Sequence, residues 1–160
     1  MDRTSWDTYF MNLAYVISER STCIRRQVGA VAVKDKRIIA TGYNGAPPNV
    51  PHCTKQTCIR TIKNIPSGER IEVCFAVHSE QNLIVQAARF GLSLDGCIVY
   101  CTHMPCFTCA KLLYSVGVRQ IHYADSYPDS ISEEFLASVS MRVSRLHGFK
   151  KPKIVTSLTV

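Results

Sequence analysis

The sequence lacks long apolar runs, internal repeats and low-complexity tracts. No apolar run approaches the roughly 18 residues that a helix needs to span a bilayer. Residues 1–7 contain no apolar stretch of the kind that secretory signals carry. We therefore expect a cytoplasmic protein with neither a membrane span nor an export signal.

Acidic residues are also scarce, with 12 of them against 19 basic residues and a net charge of +7. This balance suits a phosphorylated or polyanionic partner, although it is equally compatible with ordinary solubility charge. Hydrophobic residues make up 46% and charged residues 19%, which excludes disorder, collagen and coiled coil. The length of 160 residues predicts one domain, residues 1–160, with a core that needs no disulfides.

Cysteine, by contrast, is abundant, at 8 of 160 residues. Without an export signal these residues are not expected to form a disulfide framework. Metal binding or catalysis explains some of them, and others are small buried hydrophobes. Cys97, which adjoins an apolar strand, is predicted to be of the second kind.

Hydrophobic periodicity predicts an α/β fold. An amphipathic helix at 5–19 precedes two strands at 28–33 and 37–43, which a tight turn joins, and a loop at 44–74 rich in Pro and Gly. The pattern then alternates: helix 78–91, strand 97–101, helix 105–117, strand 120–123, helix 131–146 capped by Ser130 and Glu133, and strand 153–160. This order predicts a mixed sheet with helices on both faces.

Two short motifs precede successive helices, His78-Ser79-Glu80 and Pro105-Cys106-Phe107-Thr108-Cys109. A Cys-x-x-Cys pair at a helix start can place both sulfurs on one tetrahedral ion, and the helix dipole favours thiolates there. With the imidazole of His78 the ion has three protein ligands and one position open for water. That arrangement is typical of a catalytic zinc.

Glu80 lies close enough to this metal to move protons without binding it. By itself, Cys-x-x-Cys could equally be a structural zinc knuckle or a redox pair, and His-x-Glu could be chance. Together, and in this order, they form the signature of zinc nucleobase deaminases. The residues therefore predict hydrolytic deamination, with zinc-activated water attacking the ring and Glu80 as proton shuttle.

Over nearly its whole length the chain resembles the deoxycytidylate (dCMP) deaminases of the cytidine deaminase superfamily. The shared motifs are Ser21-Thr22-Cys23, Val28-Gly29-Ala30, Gly42-Tyr43-Asn44-Gly45-Ala46-Pro47, His78-Ser79-Glu80-Gln81-Asn82, Thr102-His103-Met104-Pro105-Cys106, Cys109-Ala110-Lys111 and Tyr123-Ala124-Asp125-Ser126-Tyr127. The resemblance implies a three-layer α/β/α sandwich around a central mixed five-stranded sheet. It also implies conversion of dCMP to dUMP and ammonia, which supplies dUMP for thymidylate synthesis. A homo-oligomer, often a hexamer, activated by dCTP and inhibited by dTTP, is implied as well.

The same resemblance assigns substrate contacts. Arg26 is implied to contact the phosphate, Asn44 a sugar hydroxyl, and Tyr127 the base or sugar. Thr102 is placed among the contacts, and the backbone amide of Ser79 lies near the pyrimidine carbonyl. The family usually has Ala where this chain has Ser79, and we expect Ser79 to preserve activity. On the residues alone, Asn44 is equally a turn residue, Arg26 a surface charge and Tyr127 a packing aromatic.

A second, structural zinc is implied by the resemblance, with ligands at Cys23 and Cys53. Cys58 and His103 are predicted as the other two ligands, and Cys74 and His52 are the alternatives. Without such a metal these cysteines are free buried thiols. His122 and His147 belong to no motif and are predicted to be structural or surface residues.

Other functions stay open at this point. A deaminase of dCTP or deoxycytidine would share these motifs, and so would a tRNA adenosine deaminase, which the net charge also suits. The positive charge is not obviously clustered, so a nucleotide is expected as substrate rather than a nucleic acid. A non-enzymatic module held by zinc is disfavoured, because a structural site needs no carboxylate such as Glu80 beside an open coordination position.

Overall fold

The computed structural model describes residues 3–148, which form five strands and five α-helices. The helices are α1 (Trp6–Ser18), α2 (Ile59–Ile62), α3 (Ser79–Arg89), α4 (Phe107–Ser115) and α5 (Ser130–Ser138). The strands are β1 (Gly29–Lys34), β2 (Arg37–Tyr43), β3 (Ile98–His103), β4 (Gln120–Asp125) and β5 (Arg142–Arg145). No helix within residues 3–148 is long and apolar enough to cross a membrane.

The five strands form one mixed sheet in the order β2-β1-β3-β4-β5. Strand β1 runs antiparallel to both β2 and β3, whereas β3, β4 and β5 run parallel. The β1–β2 turn contains Asp35 and Lys36, both with positive φ, as a two-residue hairpin of type I′ requires. The predicted mixed five-stranded sheet is therefore confirmed.

Helices cover both faces of this sheet. On one face, Phe10 and Met11 of α1 pack against Val31 and its neighbours. On the other face, Leu83 of α3 and Leu113 of α4 belong to a larger cluster that also includes residues of β1, β3, β4 and α5. Alternate strand residues point to opposite faces, so β1, β3 and β4 contribute to both clusters. The layers are those of the predicted α/β/α sandwich, and Cys97 is fully buried as predicted.

The last part of the secondary-structure prediction was wrong. Helix α5 ends at Ser138 instead of continuing to residue 146, and residues 142–145 form β5. The cause is Ser140, whose φ of 53° is left-handed, while the amide of Met141 turns back to the carbonyl oxygen of Leu136. This geometry terminates a helix. The strand predicted at 153–160 lies outside the described residues.

The predicted cap of α5 was also wrong. Asp129, rather than Ser130 with Glu133, caps the helix, and its Oδ1 accepts a hydrogen bond from the amide of Ser132 at 3.0 Å. Its Oδ2 accepts one from the amide of Phe107 at 2.8 Å. One carboxylate therefore joins the beginnings of α4 and α5.

The segment from Asn44 to Cys74 is mostly irregular, as predicted, and it contains only α2 and a 3₁₀ turn at Ile71–Val73. A backbone bridge pairs Gly45 with Val77, so the two ends of the segment lie side by side. The bridge places Asn44 close to the start of α3.

Gly42 allows β2 to approach the first turn of α3. A Cβ at this position would lie 2.1 Å from the carbonyl oxygen of Ser79 and 2.5 Å from the amide nitrogen of Leu83. Both are backbone atoms, so Gly42→Ala is expected to lower the free energy of unfolding by about 3 kcal/mol. Chemical denaturation measures this, with Gly91→Ala for comparison. A Cβ at Gly91 meets no atom within 4 Å, so that variant should lose only the roughly 1–2 kcal/mol that a left-handed φ of 65° costs a residue with a Cβ. Equal losses in the two variants would contradict the packing argument.

Candidate active site

The starts of α3 and α4 meet at one edge of the sheet. His78 directly precedes α3, Cys106 directly precedes α4, and Cys109 lies in the first turn of α4. Strand β3 leads into α4 through a short connection that contains Pro105. Helix N-termini carry partial positive charge, which stabilises thiolates.

The three side chains have the geometry of a tetrahedral zinc site. Nδ1 of His78 lies 3.5 Å from Sγ of Cys106 and 3.5 Å from Sγ of Cys109. Zinc bonds of about 2.0 Å to nitrogen and 2.3 Å to sulfur would place these atoms about 3.5 Å apart at the tetrahedral angle. Within residues 3–148, this is the one group of three or more His, Cys, Asp or Glu ligand atoms that all lie within 4.8 Å of one another. The donor set and its spacing fit zinc.

The three ligand side chains are hydrogen-bonded to one another, and a bound metal would take the place of the protons in these bonds. A hydrogen bond from Cys109 lowers the pKa of Cys106 to about 4, and the same bond, together with burial, raises the pKa of Cys109. The hydrogen bond with Cys106 raises the pKa of His78. These contacts favour the thiolate of Cys106, which is the form that binds metal.

Neighbouring polar groups fix the two helix starts. The amide of His78 donates to Oε1 of Gln81 at 2.9 Å. Ser132 donates through its Oγ to the carbonyl oxygen of Pro105 at 2.8 Å, and Asp129 holds the amide of Phe107. Outer contacts of this kind orient ligands before the metal binds.

Glu80 is buried beside this group. Its Oε2 accepts a hydrogen bond from Oγ of Ser79 at 2.9 Å, and Ser79 is itself fully buried. Burial raises the pKa of Glu80, and the positive charge of His78 opposes that rise. A buried carboxyl with a raised pKa is suited to accepting and releasing protons near neutral pH.

A cavity of about 200 Å³ opens over these residues. Its walls bring together most of the residues that the sequence predicted for the site: Cys23, Arg26, Asn44, Cys53, Cys58, His78, Ser79, Glu80, His103, Cys106 and Tyr127. Thr102 does not line this cavity. It is fully buried, and its Oγ1 accepts from the amide of Gly29 at 3.2 Å and bonds Nδ1 of His103 at 3.0 Å. Thr102 therefore orients His103 rather than facing a ligand.

Asn44 is largely occupied by the protein itself. Its Oδ1 accepts from Oγ of Ser21 at 2.7 Å and from the amide of Val28 at 2.8 Å. Its Nδ2 donates to the carbonyl oxygen of Arg26 at 2.8 Å. Asn44 thus fixes the segment that carries Arg26, and one amide hydrogen is left for a ligand.

Arg26 and Tyr127 meet at the cavity wall, where the guanidinium carbon lies 5.3 Å from the ring centroid. Arg26 also donates through Nη2 to Oγ of Ser67 at 3.3 Å. Sequence reasoning missed Arg60, which lines the same cavity from α2. Its position two residues after Cys58 was the one signal in the sequence.

Four thiols line one part of the cavity: Cys23, Cys53, Cys58 and Cys74. Burial raises the pKa of Cys53, and so do the thiols of Cys58, Cys74 and Cys23, in that order. Burial lowers the pKa of His103, followed by the charge of Arg26. Cys58, Cys74 and Cys23 therefore lie near Cys53, although no three of these four Sγ atoms all lie within 4.8 Å of one another.

Comparisons with known proteins agree with this geometry. Residues 4–125 match the family described as the cytidine and deoxycytidylate deaminase zinc-binding region. The chain is 37% identical over 125 residues to the deoxycytidylate deaminase of Schizosaccharomyces pombe, covering 78% of this chain and 38% of that protein. It is 38% identical over 127 residues to ComE operon protein 2 of Bacillus subtilis, covering 79% of this chain and 63% of that protein.

The chain thus spans well under two thirds of the first relative and slightly under two thirds of the second. Among solved structures, the dCMP deaminase of cyanophage S-TIM5 in complex with dCMP and dUMP matches with a TM-score of 0.75 and 28% identity. The match covers 91% of this chain and 100% of the cyanophage chain. With the zinc-site geometry above, these matches show that the chain belongs to the cytidine and deoxycytidylate deaminase family.

Proposed function

We propose that the protein is a zinc-dependent hydrolase that converts dCMP to dUMP and ammonia. The observation that carries this proposal is the group of His78, Cys106 and Cys109 beside the buried carboxyl of Glu80. The names of the relatives and the dCMP and dUMP bound by the cyanophage enzyme support the choice of substrate. The dUMP formed would supply thymidylate synthesis.

The reaction adds water to ring carbon 4 and expels the amino group as ammonia. Zinc held by His78, Cys106 and Cys109 would lower the pKa of water and make it a nucleophile at neutral pH. Glu80 accepts a proton from the attacking water and delivers one to ring nitrogen 3. It then takes the remaining proton from the new hydroxyl on carbon 4 and passes it to the leaving amine as the bond from carbon 4 to nitrogen breaks, so that one carboxyl performs every transfer. The hydrogen bond from Ser79 holds Oε2 of Glu80 during these steps.

The cavity wall supplies the remaining contacts in this proposal. Arg26 binds the 5′-phosphate, and Tyr127 closes over the base or sugar. Asn44 offers its remaining amide hydrogen to a sugar hydroxyl while it fixes the Arg26 segment. The backbone amide of Ser79 faces the pyrimidine carbonyl.

A substrate panel tests this proposal: dCMP, deoxycytidine, dCTP and a tRNA stem-loop, with ammonia release as the readout. We expect dCMP to have the highest kcat/KM. Arg26→Ala removes a charge-assisted hydrogen bond worth about 1.5–3 kcal/mol, so it should lower kcat/KM for dCMP far more than for deoxycytidine. Comparable kcat/KM for dCMP and deoxycytidine in the wild type would contradict the proposed contact between Arg26 and the 5′-phosphate.

A second, structural zinc is also proposed, held by the thiols of Cys23, Cys53, Cys58 and Cys74. Cys74 is chosen here because the thiols of Cys58, Cys74 and Cys23 all act on the pKa of Cys53. The predicted His103 lines the same cavity and remains the alternative ligand through Nε2, since its bond to Thr102 uses only Nδ1. Four thiolates would form a closed tetrahedral site of the structural kind.

We further propose a cytoplasmic homo-oligomer, a hexamer by family resemblance, that dCTP activates and dTTP inhibits. A reducing compartment would keep the ligands Cys106 and Cys109 as thiols. The exposed apolar side chains of Phe75, Val85 and Phe90 would be covered in an oligomer. Light scattering after gel filtration, and turnover with and without each triphosphate, test these statements.

A further inference from the structure

Two arginines at the cavity wall have buried nitrogens without a partner. Among the described residues, the buried side-chain nitrogen and oxygen atoms that lack a hydrogen bond are Nη1 of Arg26, Nε of Arg60 and Nδ1 of His122. Arg26 and Arg60 both line the cavity above the zinc ligands, while His122 does not. A buried charged donor without an acceptor is costly, so these two nitrogens call for an acceptor from a ligand.

Both arginines are held in place by the same short loop. Arg26 donates through Nη2 to Oγ of Ser67 at 3.3 Å, and Arg60 donates through Nη2 to the carbonyl oxygen of Pro66 at 2.8 Å. Each guanidinium is therefore anchored at one nitrogen while another of its nitrogens remains unpaired. The remaining N–H groups of each guanidinium are thereby oriented to bind an anion.

The charges around the cavity also favour an anion near these two groups. Burial, then the charge of Cys106, raises the pKa of Tyr127, and both Arg60 and Arg26 oppose that rise. Both guanidiniums therefore lie close enough to Tyr127 to act on its hydroxyl. Glu80 is the one acidic side chain among the residues that line the cavity, and its carboxyl is buried.

We infer that Arg26 and Arg60 form a two-arginine clamp for the 5′-phosphate of the nucleotide. The inference rests on the proposed function and adds Arg60 as the residue that completes phosphate recognition. A phosphate dianion accepts from both guanidiniums and matches their charge, whereas a nucleoside leaves both nitrogens unpaired. Arg60 thus makes the site bind nucleotides more tightly than nucleosides.

The experiment compares Arg60→Gln with Arg25→Gln in zinc-loaded protein. Arg25 lines the same cavity and also braces the loop, with Nη2 donating to the carbonyl oxygen of Ile65 at 2.8 Å, but its side chain has no buried nitrogen that lacks a partner. Arg60→Gln should lower the ratio of kcat/KM for dCMP to kcat/KM for deoxycytidine roughly 10- to 100-fold, mainly through KM. Arg25→Gln should leave this ratio near the wild-type value. Arg60→Lys keeps the positive charge but loses the planar guanidinium, so its ratio should lie between those of Arg60→Gln and Arg25→Gln.

Equal losses on dCMP and deoxycytidine in Arg60→Gln would overturn the clamp, because loop bracing alone predicts that result. An equal fall of the ratio in Arg25→Gln would overturn it as well. Calorimetric titration with inorganic phosphate separates the clamp from the proposed function. If no cytosine compound is deaminated and yet Arg60→Gln abolishes phosphate binding, the proposed function fails while the anion site stands. If dCMP is deaminated but inorganic phosphate binds wild type and Arg60→Gln equally, the clamp fails alone.

Discussion

Glu80→Gln is expected to retain zinc and to lose turnover by roughly 10²- to 10⁴-fold, the usual contribution of a general acid–base group. Glutamine keeps the size of the side chain and its carbonyl oxygen can still accept the hydrogen bond from Ser79. It cannot take up a proton, so the transfers between water, ring nitrogen and leaving amine have no carrier. Metal analysis and ammonia release on the same preparation measure both parts of the prediction.

The same substitution should not destabilise the metal-free protein. Burial raises the pKa of Glu80 in the folded chain above its unfolded value. The folded state therefore binds more protons than the unfolded state, and stability falls as pH rises from the unfolded pKa through the folded pKa. Wild type loses this stability as pH rises above the unfolded pKa, whereas Glu80→Gln carries no charge to bury, so its Tm at neutral pH should equal or exceed that of the wild type.

Glu72→Gln is the matched control, because Glu72 is an exposed carboxylate that pairs with Arg70. It should change neither turnover nor zinc content. Near-normal turnover in Glu80→Gln would remove the proton-shuttle role. Loss of zinc in that variant would show that Glu80 supports the metal site and would leave its chemistry to be tested by chemical rescue.

The zinc ligands could be predicted from the sequence because each belongs to a local motif at a helix start. The spacing of Cys106 and Cys109 places both sulfurs on one side of the first turn, and β3 brings that turn beside His78. The strands β1 to β4 were also predictable, because their apolar runs are short and are bounded by turn residues. Helix α5 was predicted, but its end at Ser138 was not, because the hydrophobic period continues through 131–146 and gives no sign of the left-handed φ at Ser140.

The residues that line the cavity above the zinc ligands could not be predicted in the same way. Arg60 lines the cavity and is held there by the carbonyl oxygen of Pro66, and no periodicity in the sequence predicts that contact. Asn44 was predicted to meet a ligand, yet most of its amide is used on Ser21, Val28 and Arg26. Such contacts join residues that are distant in the sequence, and single residues in loops carry no pattern that identifies their partners.

The long segment before α3 has few anchors of its own. Between residues 46 and 75, Cys58 is the one buried residue. Ordering a segment of this length costs about 1–2 kcal/mol of backbone entropy per residue, and little apolar burial is available to offset it. A metal held by Cys23, Cys53, Cys58 and Cys74 would provide the missing stabilisation, since structural zinc contributes on the order of 10 kcal/mol to small sites.

Purified wild-type protein is therefore expected to contain close to two zinc ions per chain, and Cys23→Ser close to one. The variant should also have a lower Tm, and proteases should cut it within residues 46–75. Because that segment carries Arg60, KM for dCMP should rise while the remaining zinc keeps kcat measurable. Cys97→Ser is the control: Cys97 is fully buried away from the cavity, so its substitution should lower Tm without changing zinc content. One zinc in the wild type, with no loss in Cys23→Ser, would show that these four cysteines are thiols without a metal, and the segment would then owe its order to hydrogen bonds such as those from Arg25 and Arg60.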